Sequence, residues 1–392
     1  MPKVSIVMPT RNRAHLLKTA LKSALLQTYE DLEIIVSDNY STEDTKKVVE
    51  SFSSPKIRYV RTAKALDMPE SWNFALSNAR GEYITYLTDD SYLLSDAIEK
   101  TLSILNNFGK KVIAWHLCEY LSHEWSDKRL RNSMLIPRFN SQPYVVESVE
   151  SLEKVVDQGI WYGIPTPKFL NSMCHRQIVE KAISTQKKMF LPPCPDYSCV
   201  VAILKHVENY VVMERPMAIG GVFKESIGAS QTFDLGPASK KFLEEFEDKS
   251  FIKILEPNLP TVSMLVAQTF EITRKCYKDL PQLNKKSLID GSISSLVLLE
   301  NNKVNVNEAW RILDEYLLKE SEEFRNNANK LRKYLRTKLK LKSKIEKFIP
   351  MLFLEHLNRW RNGSIRYWGK NSGFLNLEEC GKIALQLVKK RM

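Results

Sequence analysis

No run of 18 or more uncharged apolar residues occurs in this chain of 392 residues, so no segment is expected to cross a bilayer as a helix. The opening Met1–Pro9 is too short and too strand-like for a secretory signal, and the protein is expected to face the cytoplasm. Cys118, Cys174, Cys194, Cys199, Cys276 and Cys380 form no C-x-x-C pair, which argues against a zinc site and against a disulfide framework. The six histidines lack metal-binding spacing. No internal repeat is evident.

What is present is ordinary in bulk and uneven in distribution. Hydrophobic content of 43% and charged content of 27% suit a soluble globular protein, and the length allows two domains. Between Phe324 and Lys370 there are 14 Lys or Arg against Glu346 and Glu355, a net +12 that equals the charge of the whole chain. The basic character therefore belongs to one C-terminal segment.

The first ninety residues alternate strand and helix. Strands are predicted at Lys3–Met8, Leu32–Ser37, Ile57–Val60 and Glu82–Leu87. Helices are predicted over Ala14–Leu26, from a Thr42 cap to Phe52, and over Glu70–Ala79 with Gly81 as terminator. That order implies a parallel sheet with right-handed crossovers. Further on, a helix is expected at Ala97–Phe108, a strand at Val112–Trp115, helices at Val149–Asp157 and Ile178–Ile183, and another beginning near Asp196 after three prolines. A strand is expected at Tyr210–Met213. Gly220–Pro237, with four glycines, reads as a mobile loop. From Ser239 onward the pattern is helical, with no clear strand.

The fourth strand ends abruptly in Asp89-Asp90. An apolar strand that delivers acids at its C-terminal tip places them in the crevice where open α/β sheets bind ligands. Oxygen ligands of this kind suit Mg²⁺ or Mn²⁺ against a diphosphate. Taken alone, the pair reads slightly better as a solvated turn.

Three linked segments carry more. Val4-Ser5-Ile6-Val7-Met8-Pro9-Thr10-Arg11-Asn12-Arg13, Ile35-Val36-Ser37-Asp38-Asn39-Tyr40-Ser41 and Ala79-Arg80-Gly81-Glu82-Tyr83-Ile84 leading into Thr88-Asp89-Asp90 resemble family 2 glycosyltransferases of the GT-A fold, in the pattern of the SpsA-like bacterial members. The resemblance covers roughly residues 3 to 225, strongly to about residue 100. It implies donor-binding roles for Pro9, Thr10, Arg11, Asp38, Asn73, Asp89 and Asp90, with Asp90 on the metal and Asp38 on a uracil ring. Arg11 could stack on a base or meet a phosphate. Read without the motif, Arg11 is an exposed loop arginine and Asp38 a turn Asp in an Asx motif.

The resemblance also implies a catalytic base, Asp196 in Pro193-Cys194-Pro195-Asp196-Tyr197; the same residue suits a helix N-cap. Asn171–Arg176 resembles the family segment that frames donor sugar and acceptor, although His175 reads as structural. Trp72 stands where many members carry Arg, and Thr88 and Ser91 flank the acid pair where many carry further acids. Trp72 itself reads as a core aromatic.

The C-terminal basic segment alternates Leu331, Tyr334, Leu335, Leu339, Ile345 and Phe348 with Lys and Arg, then reaches Pro350, Met351–Leu354 and the Trp360–Trp368 stretch. Three explanations fit: an exposed solubilising face, nucleic-acid binding without a known motif, and docking on an anionic membrane surface, which is favoured.

Together these expectations describe an α/β, GT-A type Rossmann-like, mostly parallel sheet with flanking helices, followed by a mainly α-helical C-terminal domain. The boundary is placed at residues 1–237 and 238–392. The implied function is inverting, metal-dependent (Mn²⁺ or Mg²⁺) transfer of a sugar from a nucleotide-sugar donor, UDP-linked in the first instance, to a saccharide or lipid-linked acceptor. The setting is bacterial surface polysaccharide assembly, on the cytoplasmic side and peripheral to the membrane, with no nucleic-acid partner and scope for a homo-oligomer. Two alternatives remain at this stage. A sugar-nucleotide nucleotidyltransferase would need a glycine-rich loop after the first strand, which Pro9–Arg13 lacks. A non-catalytic nucleotide-sugar binding module would keep the fold without turnover.

Overall fold

The computed structural model describes residues 1–158, 164–348 and 363–391. Strands β1 (Val4–Thr10), β2 (Leu32–Asp38), β3 (Ile57–Arg61) and β4 (Tyr83–Tyr86) alternate with helices α1 (Ala14–Leu25), α2 (Thr45–Glu50) and α3 (Met68–Ser77). The four strands pair in parallel in the order β3-β2-β1-β4. β1 is buried along its whole length because helices cover both faces, which is why it reads as a continuous apolar run.

Two local signals resolve differently from the sequence reading. Thr42 does not cap α2: its N–H and hydroxyl both donate to Asn12 Oδ1, tying it to the loop after β1, and Asp44 takes the N-cap position. Gly81 does not end α3, which closes at Asn78. Gly81 instead lies against β1, where a Cβ would meet Ser5 N at 2.4 Å.

Beyond β4 come β5 (Ser91–Leu93), α4 (Ala97–Phe108), β6 (Val112–Leu121), β7 (Ser133–Ile136), β8 (Tyr144–Glu147), α5 (Ser148–Gln158), β9 (Ser172–His175), α6 (Arg176–Gln186), α7 (Pro195–Leu204) and β10 (Asn209–Val222). These strands extend the sheet with antiparallel pairings of β9 on β4 and β6, β7 on β6, and β5 and β8 on β10, while β10 runs parallel to β6. β10 bulges between Met213 and Ala218. There Arg215 is fully buried and reaches both carboxylate oxygens of Asp96, at 2.9 and 3.1 Å. A buried charge survives only when paired in this way.

Gly220–Pro237 is not the loop that its glycines suggest. β10 continues to Val222, then α8 (Ile227–Phe233) and α9 (Pro237–Glu244) follow. Gly221 is needed for close approach: its N–H donates to Asp90 O at 3.0 Å, and a Cβ there would lie 2.1 Å from that oxygen.

Helices α10 (Val262–Arg274), α11 (Lys285–Asn301), α12 (Asn307–Leu318) and α13 (Glu322–Phe348) form the helical layer. Phe270, Tyr277 and Leu280 join the same core as Trp72 and α7, so this layer packs directly on the α/β unit. The leucine stripe of α13 is not free. Leu331, Leu335 and Leu339 pack against the core of α11 and α12, and Arg332 stacks on Trp310 at 3.8 Å. Its opposite side, with Lys333, Tyr334, Lys338, Lys340 and Leu341, is exposed. Pro350, Met351–Leu354 and most of the Trp360–Trp368 stretch lie outside the described residues.

The chain's return crosses the division expected at residue 237. β11 (Ile365–Trp368) pairs with β7, and the C-terminal helix Leu377–Lys389 completes a cluster with Tyr92, Cys118, Tyr120, Met134 and Ile219. A four-residue strand carries too little pattern to be recognised alone; its partner β7, more than 200 residues earlier, creates it. Phe374 is fully buried in that cluster. Phe374→Ala should therefore cost the α/β unit about 3–5 kcal/mol in urea unfolding; unchanged stability of that unit would show the tail to be independent.

Candidate active site

The C-terminal ends of β1 and β4 open into a cavity of about 460 Å³. Its floor is Pro9, Thr10, Arg11, Asn12 and Arg13 from the end of β1, Thr88 and Asp89 from the end of β4, and Ser71 and Trp72 from α3. Its roof is one continuous stretch that supplies Lys224, Glu225, Ile227, Asp234, Lys241, Phe242 and Glu245. Parallel strands point their C-terminal ends to one edge, so neighbouring tips share a crevice. The roof is held by Arg11, whose guanidinium lies 3.0 Å from Glu245 Oε1, and by Phe242 and Phe246, which pack edge-on with centroids 5.2 Å apart.

The acid pair is compensated from three sides. Thr10 Oγ1 donates to Asp89 Oδ2 at 2.8 Å. Arg13 lies 3.2 Å from Asp89 Oδ1 and 3.6 Å from Asp90 Oδ2, and also donates to Glu225 O. Ser226 Oγ donates to Asp90 Oδ2 at 2.9 Å. Unit charges about 4 Å apart near a protein surface interact by about 4 kcal/mol, so one guanidinium offsets one carboxylate and leaves the second uncompensated. The consequence falls on Asp89. Burial and, secondarily, the Asp90 charge push its carboxyl up to about 6, although Arg13 and Thr10 pull the other way.

Asp38, expected on the nucleotide base, is fully buried and turned into its own loop. Its Oδ1 accepts from Ser41 N at 2.8 Å and its Oδ2 from the Tyr59 hydroxyl at 2.6 Å, which is the Asx-like alternative. Its neighbour Asn39 lines the cavity instead. Asn73, also expected on the donor, is spent internally. Its amide nitrogen donates to Pro69 O and Phe190 O, and its oxygen accepts from Met189 N and Phe190 N. Trp72 serves both core and cleft: it lines the cavity and packs edge-on to Phe190 at 5.3 Å.

Asn171–Arg176 does not line the donor cavity; most of the segment is the strand β9. Asn171 donates to Trp115 O, Arg176 to Gly81 O, and His175 caps α6 by accepting from Gln177 N.

Asp196 stands in the first turn of α7 behind Pro195, and the N-cap position belongs to Cys194, not to Asp196. Burial pushes its carboxyl above the ordinary range, while Lys168 and the backbone N–H groups of the helix start pull it down. Lys168 sits 4.0 Å over the Tyr197 ring. Burial disfavours its charge, but Tyr197 and Asp196 outweigh that, and the ammonium group titrates above its usual value. Asp196 does not line the donor cavity. A contact chain joins them: Trp72 touches Phe190, and the next residue, Leu191, donates its N–H to Ser198 Oγ on α7. A second, apolar cavity of about 380 Å³ lies on the far side of α7, between Tyr197, Val201, Phe270 and Leu288.

Sequence reasoning thus placed Pro9, Thr10, Arg11 and Asp89 in the cleft and Asp90 at its edge. It missed Arg13, Lys224, Lys241, Phe242 and Glu245. Arg13 was visible inside the first motif, and the Phe242/Phe246 spacing after Pro237 marks an amphipathic helix; that both face the acids is a tertiary fact.

No cluster of three or more His, Cys, Asp or Glu side chains suited to a metal occurs among the described residues. Two adjacent carboxylates at a cleft edge nevertheless fit Mg²⁺ or Mn²⁺, which take one or two protein carboxylates and complete their shell with phosphate oxygens and water. A cationic group already sits between these two.

Residues 5–143 match the model of the family described as glycosyl transferase family 2. Over 184 residues the chain is 34% identical to the GalNAc(5)-diNAcBac-PP-undecaprenol beta-1,3-glucosyltransferase of Campylobacter jejuni, covering 44% of this chain and 60% of that protein. Over 102 residues it is 31% identical to the UDP-Glc:alpha-D-GlcNAc-diphosphoundecaprenol beta-1,3-glucosyltransferase WfgD of Escherichia coli, covering 27% of this chain and 40% of that one. The chain thus spans less than two thirds of the length of these relatives, 60% of one and 40% of the other. Among solved structures, S. aureus TarS 1-349 in complex with UDP-GlcNAc superposes with a TM-score of 0.48 at 12% identity, covering 88% of this chain and 92% of that one. At that distance the likeness says nothing about ligands.

The saturated amide of Asn73 makes a structural prediction. Asn73→Ala leaves the Met189 and Phe190 N–H groups without their acceptor, and should lower stability by about 1–3 kcal/mol in urea unfolding. A loss of nucleotide affinity at unchanged stability would restore Asn73 to the donor site.

Proposed function

We propose that this chain, whose residues 5–143 match the model of glycosyl transferase family 2, is a member of that family and moves a sugar from a nucleoside-diphosphate donor to a hydroxyl of a lipid-linked saccharide in bacterial polysaccharide synthesis. The observation that carries this reading is the meeting of Pro9–Arg13 with Asp89 in one cavity of about 460 Å³, a volume in the range of small-molecule sites, with Asp90 beside it on the same Arg13 guanidinium. The lipid-linked character of the acceptor is taken from the relatives, two of which are named for diphosphoundecaprenol-linked substrates. UDP is the nucleotide proposed for the donor, as in the name of the Escherichia coli relative.

Glycosyl transfer builds negative charge on the departing diphosphate. Arg11, Arg13, Lys224 and Lys241 face the cavity and meet that charge in a partly desolvated setting, where fixed cations act more strongly than in water. A divalent cation, Mn²⁺ or Mg²⁺, held by Asp90 beside Asp89 would supply Lewis-acid stabilisation there, worth several kcal/mol. Asp196 takes the proton of the acceptor hydroxyl. Attack from the face opposite the diphosphate inverts the anomeric centre. This requires the acceptor to lie between α7 and the Trp72 side of the cleft.

A lipid-linked acceptor brings the protein to a membrane surface. The exposed side of α13, with Lys333, Tyr334, Lys338, Lys340 and Leu341, suits anionic headgroups, the lysines bound by charge and Tyr334 and Leu341 inserted. Flotation with anionic vesicles should recover the protein, and the double substitution Tyr334→Ser, Leu341→Ser should reduce that recovery; equal recovery of both proteins would dispose of the surface.

Asp196 provides the test of catalysis. Asp196→Asn should lower transfer about 10²–10⁴-fold while leaving binding of UDP intact. Because burial raises the native carboxyl above its unfolded value of 3.8, the ionised form costs stability at pH 7. The variant should therefore melt at the same temperature as the wild type or higher at neutral pH, with any gain disappearing as pH falls below 3.8. Only the ionised base accepts a proton, so the rate should fall with acid at a pH above 3.8, and Lys168→Met should move that limb higher still. Undiminished transfer by Asp196→Asn would refute the assignment.

A further inference from the structure

Arg13 joins three parts of the molecule: the end of β1, the acid pair at the tip of β4 and the roof. It precedes α1, in the N-cap position, yet its own side chain does not cap that helix, whose first N–H, that of Ala14, donates to Glu43 Oε2 at 3.1 Å. Its guanidinium is directed instead to Asp89 and Asp90 at the tip of β4, and to Glu225 O in the roof. The next roof residue, Ser226, donates to the same Asp90 oxygen, Oδ2, that Arg13 approaches at 3.6 Å. Floor, acids and roof are thus closed around one cation.

We infer that Arg13 is the resident counter-ion of the acid pair and competes with the divalent cation for it, so that Arg13 sets the metal affinity of the site and links metal entry to release of the roof. The inference rests on the reading of Asp90, beside Asp89, as the cation site. Two geometric facts carry it. The guanidinium lies 3.2 Å from Asp89 and 3.6 Å from Asp90, so an ion bound to Asp90 beside Asp89 must displace it or accept a positive neighbour at close range. The displaced side chain cannot keep its bond to Glu225 O unchanged, and Ser226 must give up Asp90 Oδ2 wherever that oxygen turns to the ion. Released from the acids, Arg13 stays on the cavity floor, where its planar fork matches a diphosphate.

The probe is Mn²⁺ alone, added to the full chain and followed by the loss of the free aqua-ion signal in electron paramagnetic resonance. Arg13→Gln removes the competing charge and should tighten Mn²⁺ binding about tenfold. Arg13→Lys keeps the charge without the fork and should stay within about threefold of the wild type. In the wild type, Mn²⁺ should speed hydrogen exchange of the amides of residues 223–236, and in Arg13→Gln that exchange should be fast before metal is added. Equal or weaker Mn²⁺ binding by Arg13→Gln overturns the inference. So does exchange in the wild type that Mn²⁺ leaves unchanged, an arm that stands even if Arg13→Gln fails to fold. Neither readout involves sugar transfer. Tighter Mn²⁺ binding by Arg13→Gln beside a wild type that transfers no sugar would leave this inference standing and sink the proposed function, and metal-indifferent transfer by the wild type would do the reverse.

Discussion

Two carboxylates at the end of one strand repel each other, and the architecture around them answers that repulsion. Thr10 comes from the adjacent strand tip, Arg13 from the start of the first helix, and Ser226 from a segment more than 130 residues later. Gly221 lets the backbone of β10 approach Asp90 closely enough to bond its carbonyl, which brings the roof over the acids. Remove that approach and the roof has no fixed height over the cleft. The compensation does not remove the effect of burial, which, with the Asp90 charge, leaves the Asp89 carboxyl raised to about 6.

The helical layer supports the same region from behind. Phe270, Tyr277 and Leu280 share a core with Trp72, Phe190 and α7, and Cys194 N donates to Thr269 Oγ1 on α10. Asp196 is therefore set by packing between layers, not by a loop. The final helix, far from the cleft in sequence, seals β5 just after the acid pair: a Cβ on Gly381 would lie 2.4 Å from the Tyr92 ring. Each layer fixes one side of the strand tip that bears Asp89 and Asp90.

Much of the α/β half was legible in the sequence because its strands are buried on both faces and its helices have one apolar stripe. Ala97–Phe108 illustrates this, with its bounds readable from the spacing of Ile98, Leu102 and Leu105 and from Gly109, which adopts a left-handed conformation at the helix end. The acid pair and the Pro9–Arg11 turn were legible for the same reason, since strand ends announce themselves. Asn73 and Asp38 were not. Both stand where the motif predicts donor contacts, but each finds enough local hydrogen-bond partners to be absorbed. Competition between a ligand and a neighbouring backbone group is decided by distances that no spacing encodes.

The amphipathic pattern of α13 marks a similar boundary. Its leucines predicted an apolar face, and the fold supplied the partner in α11 and α12, leaving a lysine-rich side with Tyr334 and Leu341 outward. The amino-acid order by itself determined which segments became strands and helices in the α/β half, and which strand tip carried charge, because burial periodicity and terminal residues are local properties. Only the tertiary structure decided that Arg13 closes on Asp89 and Asp90, that residues 224–245 form a roof and that the C-terminus rejoins the sheet through β7. Those outcomes depend on pairing and charge compensation between groups far apart along the chain, and such energies exist only once the backbone has brought the groups together.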